Sequence, residues 1–262
     1  MAVTRSRAEF ELVRFYADWG LNNCEIERLT GISRTTIREW RQRAAAGLHN
    51  ASKQSGGEAA CPICSSAFMD QRAYAYLLGL YLGDGCLVEM KRGVYKLTIV
   101  QDQKYIGLIC ECFGSISSLI PKRPLNVGFQ QAEGCILINT LWKHWPCLFP
   151  QHGKGVKHLR EIRLAWWQAE IVSRYPDLLV RGLIHSDGYR GINRVRRPVA
   201  GEMKEYGYSR YQFSNESADI RGIFCGALDR MGIAWRQMNR KTISVARRTE
   251  VGKLDLVVGP KY

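Results

Sequence analysis

Two stretches of this sequence share a pattern that restricts the fold more than any other feature of the chain. Residues 76–85 are YLLGLYLGDG and residues 179–188 are LVRGLIHSDG. Each is predicted to be an apolar helix with a glycine in its middle and Asp-Gly at its end. Glycine inside a helix costs about 0.5–1 kcal/mol relative to alanine, so a glycine repeated at the same place needs a compensating role. We expect the two helices to pack closely, with Gly79 against Gly182.

Parallel packing of these helices would bring two carboxylates, those of Asp84 and Asp187, together at one end. At about 6 Å and an effective dielectric of about 20, two negative charges repel by about 3 kcal/mol. A bound cation would offset that repulsion, and Mg²⁺ accepts carboxylates together with phosphate oxygens and waters. Such a pair therefore indicates a binding site for a divalent cation. The alternative is that both aspartates cap their helices and face solvent.

The segments that follow the two helices also correspond, which indicates an internal duplication. Strand-like stretches follow the first helix, whereas a basic loop at 190–207 and a strand at 208–214 are predicted after the second. In each half an apolar helix comes next, and a lysine closes the half. These lysines lie 73 and 74 residues after their aspartates, at Lys157 and Lys261. Each half is therefore predicted to be an αββα unit with a trailing segment.

The two motifs, their matched lysines and the basic charge of the chain resemble the LAGLIDADG homing endonucleases of the two-repeat, single-chain type. The resemblance covers about residues 72–262. It implies an α+β fold in which two pseudo-symmetric repeats pair their helices, while two antiparallel sheets form a saddle over double-stranded DNA. It also implies metal-dependent cleavage of both strands, with two or three Mg²⁺ sites between Asp84 and Asp187.

The resemblance further implies roles for residues around the two aspartates. Gln103 matches a polar residue that holds water near the scissile phosphate, and Ser217 is its rough counterpart in the second repeat. Lys157 and Lys261 match basic residues that polarise solvent or stabilise charge at phosphorus. The sequence departs from the family pattern at His185-Ser186, which precede the second aspartate where acidic or small residues are usual.

The charge of the chain independently indicates a polyanionic partner. It carries 38 Lys and Arg against 24 Asp and Glu, a formal net charge of +14 over 262 residues. Since the aromatic content of 10% is that of a folded protein, we expect nucleic acid as the partner. The family resemblance implies that this partner is double-stranded DNA and that the protein is a monomer. Near the second motif, four arginines are predicted to contact phosphates, although a solvated basic face is the alternative. They are Arg194, Arg196, Arg197 and Arg210.

Residues 1–47 have the pattern of a helix-turn-helix domain. A first amphipathic helix ends near Gly20, a second spans 24–30, and a third begins after a turn at Gly31-Ile32-Ser33. The N-terminal end of a recognition helix enters the major groove, so hydrogen-bonding side chains are needed there. The candidates are Arg34, Thr35, Thr36, Arg38 and Arg41. One position departs from the pattern, because Glu27 stands where a small residue normally packs, and a plain three-helix bundle is the alternative.

Residues 48–71 are predicted to be a linker. The small and polar stretch at 44–58, which overlaps the start of this linker, is expected to be a flexible tether. The linker contains a CxxC pair, Cys61 and Cys64, whose spacing suits one metal ion. Structural zinc needs four ligands, and Cys147 with His152 are the favoured remaining pair. Two other histidines, His144 and His158, are alternative zinc ligands. The other alternative is that no metal binds and that the CxxC pair is two reduced thiols in a turn. The two repeats are expected at 72–175 and 176–262.

The remaining features of the sequence bear on its surroundings and on a rival function. An odd number of cysteines, nine, favours a reducing cytoplasm, and the charged N-terminal stretch does not resemble a signal peptide. No apolar run reaches the length of a membrane span, so no membrane partner is expected. A DNA-binding role predicts association with the nucleoid. The rival function is a regulator that joins a LAGLIDADG scaffold to a helix-turn-helix and binds promoters without cutting, but retention of both aspartates and both lysines favours the nuclease.

Overall fold

The computed structural model describes residues 7–45, 61–66, 68–119, 127–199, 202–259 and 261. The chain forms two compact units. The first contains residues up to 70 together with 85–148, and the second contains 71–84 together with 149–261. Residues 46–60 lie outside the described residues, and this range includes most of the tether expected at 44–58.

Three helices begin the first unit: α1 (Arg7–Asp18), α2 (Asn23–Thr30) and α3 (Arg34–Ala45). Asn22 caps α2, because its side chain accepts hydrogen bonds from the backbone N–H groups of Cys24 and Glu25. The Glu25 carboxylate in turn accepts from the Asn22 N–H at 2.8 Å, which completes a capping box. Gly31 ends α2 with a φ of 68°, a left-handed conformation that favours glycine. The helix bounds agree closely with those predicted.

A four-stranded antiparallel sheet forms the rest of the first unit. Its strands lie in the order β1-β2-β4-β3. The bounds are β1 (Gly85–Glu89), β2 (Tyr95–Asp102), β3 (Val127–Ala132) and β4 (Cys135–Trp142), with α5 (Ile106–Leu119) between β2 and β3 and the short α6 (Trp145–Leu148) after β4. The reversal between β1 and β2 uses Arg92 and Gly93, both at positive φ.

The three N-terminal helices pack on this sheet unit. Tyr16 of α1 is fully buried, and its hydroxyl is hydrogen-bonded to the Cys110 thiol of α5. Phe15 stacks on Phe129 of β3, with ring centroids 5.0 Å apart. A freely tethered domain would not bury such contacts, so the N-terminal helices are docked on α5 and β3.

The second unit contains the paired helices and a second sheet. Its strands lie in the order β5-β6-β8-β7, which repeats the order of the first sheet. The helices are α4 (Gln71–Asp84), α7 (Trp166–Arg174), α8 (Pro176–Asp187), α9 (Ala218–Arg230) and α10 (Arg248–Val258), and the strands are β5 (Gly188–Val199), β6 (Glu202–Ser214), β7 (Arg236–Gln237) and β8 (Thr242–Val245). The α+β prediction with two matched repeats is confirmed, and the trailing segment of each repeat supplies a second pair of strands.

The prediction of a basic loop at 190–207 is wrong, because the described residues of this range lie in two long paired strands, β5 and β6. β5 pairs with β6 from Gly188 opposite Phe213 to Val199 opposite Glu202. Valine, isoleucine and tyrosine alternate with the charged residues here, and such residues favour strands. Since β8 pairs only with residues 211–214, most of this strand pair is a two-stranded ribbon. Among the described residues, no helix is long and apolar enough to span a membrane.

Candidate active site at the ends of two paired helices

The helices α4 and α8 approach each other through small residues. A Cβ added at Gly79 would lie 2.6 Å from the Leu179 carbonyl oxygen and 2.9 Å from the carbonyl carbon of Gly182. Such distances leave no room for a side chain, so the predicted contact of Gly79 with Gly182 is confirmed. One turn later, a Cβ at Gly83 would overlap the side chain of Ser186. Small residues spaced four apart on each helix therefore keep the helices in contact up to their C-terminal ends.

The two aspartates stand at these ends, and both are half-buried. A Cβ at Gly83 would lie only 3.2 Å from Oδ2 of Asp187, so the Asp187 carboxylate lies against the last turn of α4. Burial and the charge of Asp187 together raise the pKa of Asp84 to about 6, although Lys157 and Lys261 oppose the shift. Burial also raises the pKa of Asp187, against the same two lysines. The structure thus brings these two acids and two lysines into one electrostatic cluster.

Lys157 is fixed to the C-terminal end of α4. Its ammonium donates to the carbonyl oxygens of Tyr81 at 2.7 Å, and of Leu82 and Gly83 at 3.0 Å each. An ammonium has three N–H groups, so these bonds occupy all of them. A cation at this end of a helix also interacts favourably with the helix dipole. Lys157 therefore holds the turn that carries Asp84 and places a positive charge beside it.

Lys261 contacts the corresponding point of the second repeat. Its Nζ donates to the carbonyl oxygen of Gly188, the residue that follows Asp187, at 2.8 Å. The two lysines predicted from their spacing therefore lie at equivalent places, one at the end of each paired helix.

His185 explains the departure from the family pattern before the second aspartate. Its Nδ1 lies 2.9 Å from the Tyr76 hydroxyl, and its Nε2 lies 3.0 Å from the Val258 carbonyl oxygen. Burial, together with the charges of Arg181 and Lys261, lowers the pKa of His185 to about 4, so the ring is neutral. A carbonyl only accepts, so Nε2 carries the proton and Nδ1 accepts from Tyr76. His185 therefore joins α4 and α8 to the end of α10.

One polar side chain contacts an aspartate directly. Asn215 donates from Nδ2 to Oδ2 of Asp187 at 2.5 Å, and this bond opposes the rise in the pKa of Asp187. Sequence reasoning missed Asn215, because the residue lies just beyond a strand that had been predicted only in part.

The strand registers identify the counterpart of Asn215 in the first repeat. In each sheet, the glycine after the aspartate pairs with a residue two positions before a carboxamide side chain. Those pairs are Gly85 with Ile99 and Gly188 with Phe213. Gln101 is therefore the equivalent of Asn215. It is only 3% exposed, and its Nε2 has no hydrogen-bond partner in the part of the chain that the structure describes.

The polar residues favoured from the sequence lie two positions further along. Gln103 is half-buried, and its backbone N–H donates to the Gly134 carbonyl oxygen at 3.2 Å. Ser217 is buried and caps α9, because its Oγ accepts from the Ile220 N–H at 3.3 Å. The Ser217 hydroxyl thus has a structural task. Counting register from the residue after each aspartate would have identified Gln101 and Asn215.

The ribbon formed by β5 and β6 has two faces, because side chains alternate along strands. On one face, Arg190 pairs with Asp255 of α10 at 2.6 Å, at the end of the ribbon that packs on the helices. The same face carries Arg194 and Arg196, which both bind the Glu205 carboxylate, at 2.8 and 3.1 Å. Glu205 therefore offsets part of the positive charge of this face.

The opposite face of the ribbon is rich in aromatic and basic side chains, and we call it the aromatic-basic face. Its members are Tyr189, Arg197, Lys204, Tyr206, Tyr208, Arg210 and Gln212. Tyr206 and Tyr208 stack with centroids 6.4 Å apart, and Tyr189 is 62% exposed. The Arg210 Nε is buried and has no partner among the described residues. The four arginines predicted to contact phosphates are therefore divided equally between the two faces.

The α3 residues predicted to contact DNA differ in whether other groups of the protein already bind their side chains. Arg34 pairs with Glu27 at 2.9 Å, which accounts for the acidic residue at that position. Arg41 donates to the Leu21 carbonyl oxygen at 3.1 Å and to the Asn23 side chain at 2.9 Å, so it holds α3 against the preceding turn. The Thr36 hydroxyl lies 3.0 Å from that of Ser33. Besides Arg34, the exposed candidates are Thr35 and Arg38.

The CxxC pair belongs to a group of four potential metal ligands. Cys61, Cys64, His144 and Cys147 place their sulfur and nitrogen atoms within 4.8 Å of one another. His152 is not a member of this group, and its Nδ1 lies 3.2 Å from the Phe149 carbonyl oxygen. The choice of His152 is therefore corrected to the alternative, His144. The physical reason is local, because His144 immediately precedes α6 and the Cys147 N–H donates to its carbonyl oxygen at 3.0 Å.

Comparison with known proteins gives structural neighbours only. No protein-family model and no curated protein sequence matches the chain. Mesophilic variants of the homing endonuclease I-DmoI are 14% identical, cover 72% of this chain and 97% of their own, and give a TM-score of 0.46. I-DmoI in complex with DNA and Ca is 14% identical, covers 72% of this chain and 91% of its own, and gives a TM-score of 0.44. The LAGLIDADG meganuclease I-AabMI bound to uncleaved DNA is 10% identical, covers 69% of this chain and 81% of its own, and gives a TM-score of 0.44. These solved structures, to which this chain is similar, are LAGLIDADG homing endonucleases.

Proposed function

We propose that the protein is a monomeric endonuclease that cuts double-stranded DNA with a divalent metal. The observation that carries the proposal is the pair of half-buried carboxylates, Asp84 and Asp187, at the ends of two tightly packed helices. Their burial and their mutual repulsion oppose ionisation, and Asp84 has no hydrogen-bond partner among the described residues that would justify its position structurally. A pair of this kind is expected where the carboxylates bind a cation.

The donor set suits magnesium. Mg²⁺ is bound through one or two protein carboxylates and completes its coordination with waters and phosphate oxygens. When bound, the metal supplies a low-pKa water and neutralises the oxygen that leaves phosphorus. The lysines beside the acids keep both carboxylates more readily ionised than burial alone would allow.

The residues around the acids have distinct tasks in this proposal. Asn215 orients the Asp187 carboxylate, and Gln101 is its counterpart in the first repeat. Lys157 acts through position and charge, because its three donors are engaged by α4. Lys261 is the basic residue that we assign to charge developing at phosphorus. The role predicted for Gln103 remains an alternative to that of Gln101.

DNA binding is assigned to two surfaces. The aromatic-basic face combines cations for phosphates with rings that pack against sugars. In the N-terminal helices, Thr35 and Arg38 are exposed near the start of α3, where a recognition helix contacts bases. Because α1 is docked on α5 and β3, the contacts of α3 with DNA would be fixed in position relative to the first sheet.

The test is selection of a bound duplex followed by cleavage. Randomised duplexes are first selected for binding in Ca²⁺, which supports binding but activates water less well than Mg²⁺. The selected site is then placed in a plasmid, including one that carries the protein's own locus without its reading frame. Addition of Mg²⁺ should linearise the plasmid, whereas the Asp84→Asn/Asp187→Asn double variant should bind the same site and leave it intact. Specific binding without cutting in Mg²⁺ or Mn²⁺ would support the regulator, and absence of any specific binding would contradict both functions.

A further inference from the structure

We propose that Cys61, Cys64, His144 and Cys147 form a structural zinc site that fastens the segment after the N-terminal helices to the first sheet. Cys64 Sγ lies 3.5 Å from Cys147 Sγ and 3.7 Å from His144 Nδ1. Cys147 Sγ lies 3.7 Å from the same nitrogen. All four ligand atoms lie within 4.8 Å of one another.

These separations are those of a tetrahedron around zinc. Zn–S bonds of about 2.3 Å and Zn–N bonds of about 2.0 Å require edges of about 3.8 Å between sulfurs and about 3.6 Å between sulfur and nitrogen. The edge of 3.5 Å between the sulfurs of Cys64 and Cys147, and the edges of 3.7 Å from each sulfur to His144 Nδ1, are close to these values. Three sulfurs and one nitrogen fill a tetrahedral shell, which is typical of structural sites and leaves no place for substrate.

The backbone around the ligands is arranged in two short turns. In the CxxC loop, the Cys64 N–H donates to Cys61 Sγ at 3.5 Å, and the Ser65 N–H donates to the Cys61 carbonyl oxygen at 2.9 Å. At the other side, β4 ends at Trp142, whose ring packs edge-on against His144 at 5.2 Å. The ring contact fixes the plane of the imidazole, so Nδ1 is directed at the cysteines.

Electrostatics also favours a cation at this position. Thiolates in such proximity repel one another, and a divalent cation reverses that repulsion. Cys61 is buried, so the site is closed on one side to water. Within the described ranges, no second group of this kind is found.

The site would hold the segment that follows the N-terminal helices. The CxxC loop follows those helices in sequence, and the other two ligands follow β4 of the sheet. A zinc ion would therefore fasten the chain to the sheet at one point, while Phe15 and Tyr16 fasten α1 to β3 and α5 at another.

Elemental analysis of protein purified without a histidine tag tests the site. We expect about one zinc per chain, filling the four-ligand shell. Cys64→Ser and His144→Gln should each lose most of the zinc. Two matched controls, Cys86→Ser at an exposed cysteine of β1 and His152→Gln, should retain it. Protein refolded with Co²⁺ should show the visible absorption of tetrahedral cobalt and a thiolate-to-metal charge-transfer band.

Wild-type protein decides the matter even where a ligand variant fails to fold. A zinc content far below one per chain, iron in place of zinc, or an octahedral cobalt spectrum would overturn the assignment. Retention of zinc by His144→Gln together with its loss from His152→Gln would overturn the ligand set. Zinc removal by a chelator should increase hydrogen exchange in the 61–66 loop and in 143–148, and unchanged exchange there would contradict the fastening role. None of these measurements involves DNA cleavage, so they can fail or succeed independently of the proposed function.

Discussion

Asp84 and Asp187 end equivalent helices, yet the structure surrounds them differently. Asp187 receives a 2.5 Å hydrogen bond from Asn215, whereas Asp84 has no such donor among the described residues and its pKa is raised to about 6. The lysines differ as well, since Lys157 binds three carbonyl oxygens of α4 and Lys261 binds the carbonyl oxygen of Gly188. Two repeats with the same strand order have therefore diverged at the residues that adjust each carboxylate.

The two sheets also differ, both in the lengths of their first two strands and in the elements that pack beside them. In the second, β5 and β6 have 12 and 13 residues and extend beyond their neighbours, whereas β1 and β2 have 5 and 8. The first sheet instead carries the N-terminal helices on β3 and the CxxC loop beside β4. One repeat has become a platform for added elements, and the other has become an extended surface.

The largest effect on cleavage is expected from replacing one aspartate at a time. Asp84→Asn and Asp187→Asn should each reduce cleavage by at least about 100-fold, since metal-assisted charge stabilisation is worth several kcal/mol in the transition state. The affinity of each variant for DNA should stay within a few-fold of the wild-type value, because each change removes a negative charge that would face phosphate. Plasmid cleavage and gel-shift assays in Mg²⁺ and Ca²⁺ measure the two effects. Normal cutting by either variant would show that its aspartate is not a metal ligand.

The contact shared by the repeats is tested by substitution at the helix crossing. Gly79→Ala should lower the free energy of unfolding by about 1–3 kcal/mol, because the added methyl would meet the backbone of α8 at 2.6 Å. Gly114→Ala is the matched control, since this exposed glycine of α5 has nothing within 4 Å of an added Cβ. The control should raise stability by up to about 1 kcal/mol. Urea denaturation compares both, and equal effects would mean that the helices separate easily.

The carboxamides test whether the halves remain equivalent. Asn215→Ala should reduce cleavage about tenfold, because a hydrogen bond to a charged group contributes about 1.5–3 kcal/mol. Gln101→Ala should have a similar effect if the register equivalence extends to function, while Gln103→Ala should stay near wild type. Nicking assays with each strand labelled reveal which half is impaired. A larger loss from Gln103→Ala than from Gln101→Ala would restore the original assignment.

The sequence was sufficient for the features that repeat. The glycine and aspartate positions of the two helices and the spacing of the two lysines are local or periodic, so they could be predicted from the sequence alone. The close approach of Gly79 to Gly182 followed from the cost of glycine in a helix.

The sequence was insufficient where long-range pairing decides the outcome. The 190–207 segment was predicted as a loop because its arginines obscured an alternating strand pattern, and Gln101 could be distinguished from Gln103 only by strand register. The choice between His144 and His152 depended on where β4 ends. The docking of α1 through Phe15 and Tyr16 leaves no local signal, because apolar residues of a helix do not specify their partner.

The smallest expected effects separate the two faces of the β5–β6 ribbon. Arg197→Ala and Arg210→Ala, on the aromatic-basic face, should each weaken DNA binding a few-fold and reduce the salt dependence by about one phosphate contact. Arg194→Ala and Arg196→Ala should leave the salt slope unchanged, because both arginines bind Glu205 on the other face.

Fluorescence anisotropy over a series of KCl concentrations measures all four variants. Arg210 is the most informative, because its buried Nε lacks a partner among the described residues and a phosphate oxygen would supply one. Equal slopes for all four variants would mean that only overall charge matters. A larger change for Arg194 than for Arg197 would place the DNA on the face that carries Glu205, and the second sheet would then contact DNA through the side that also packs on α10.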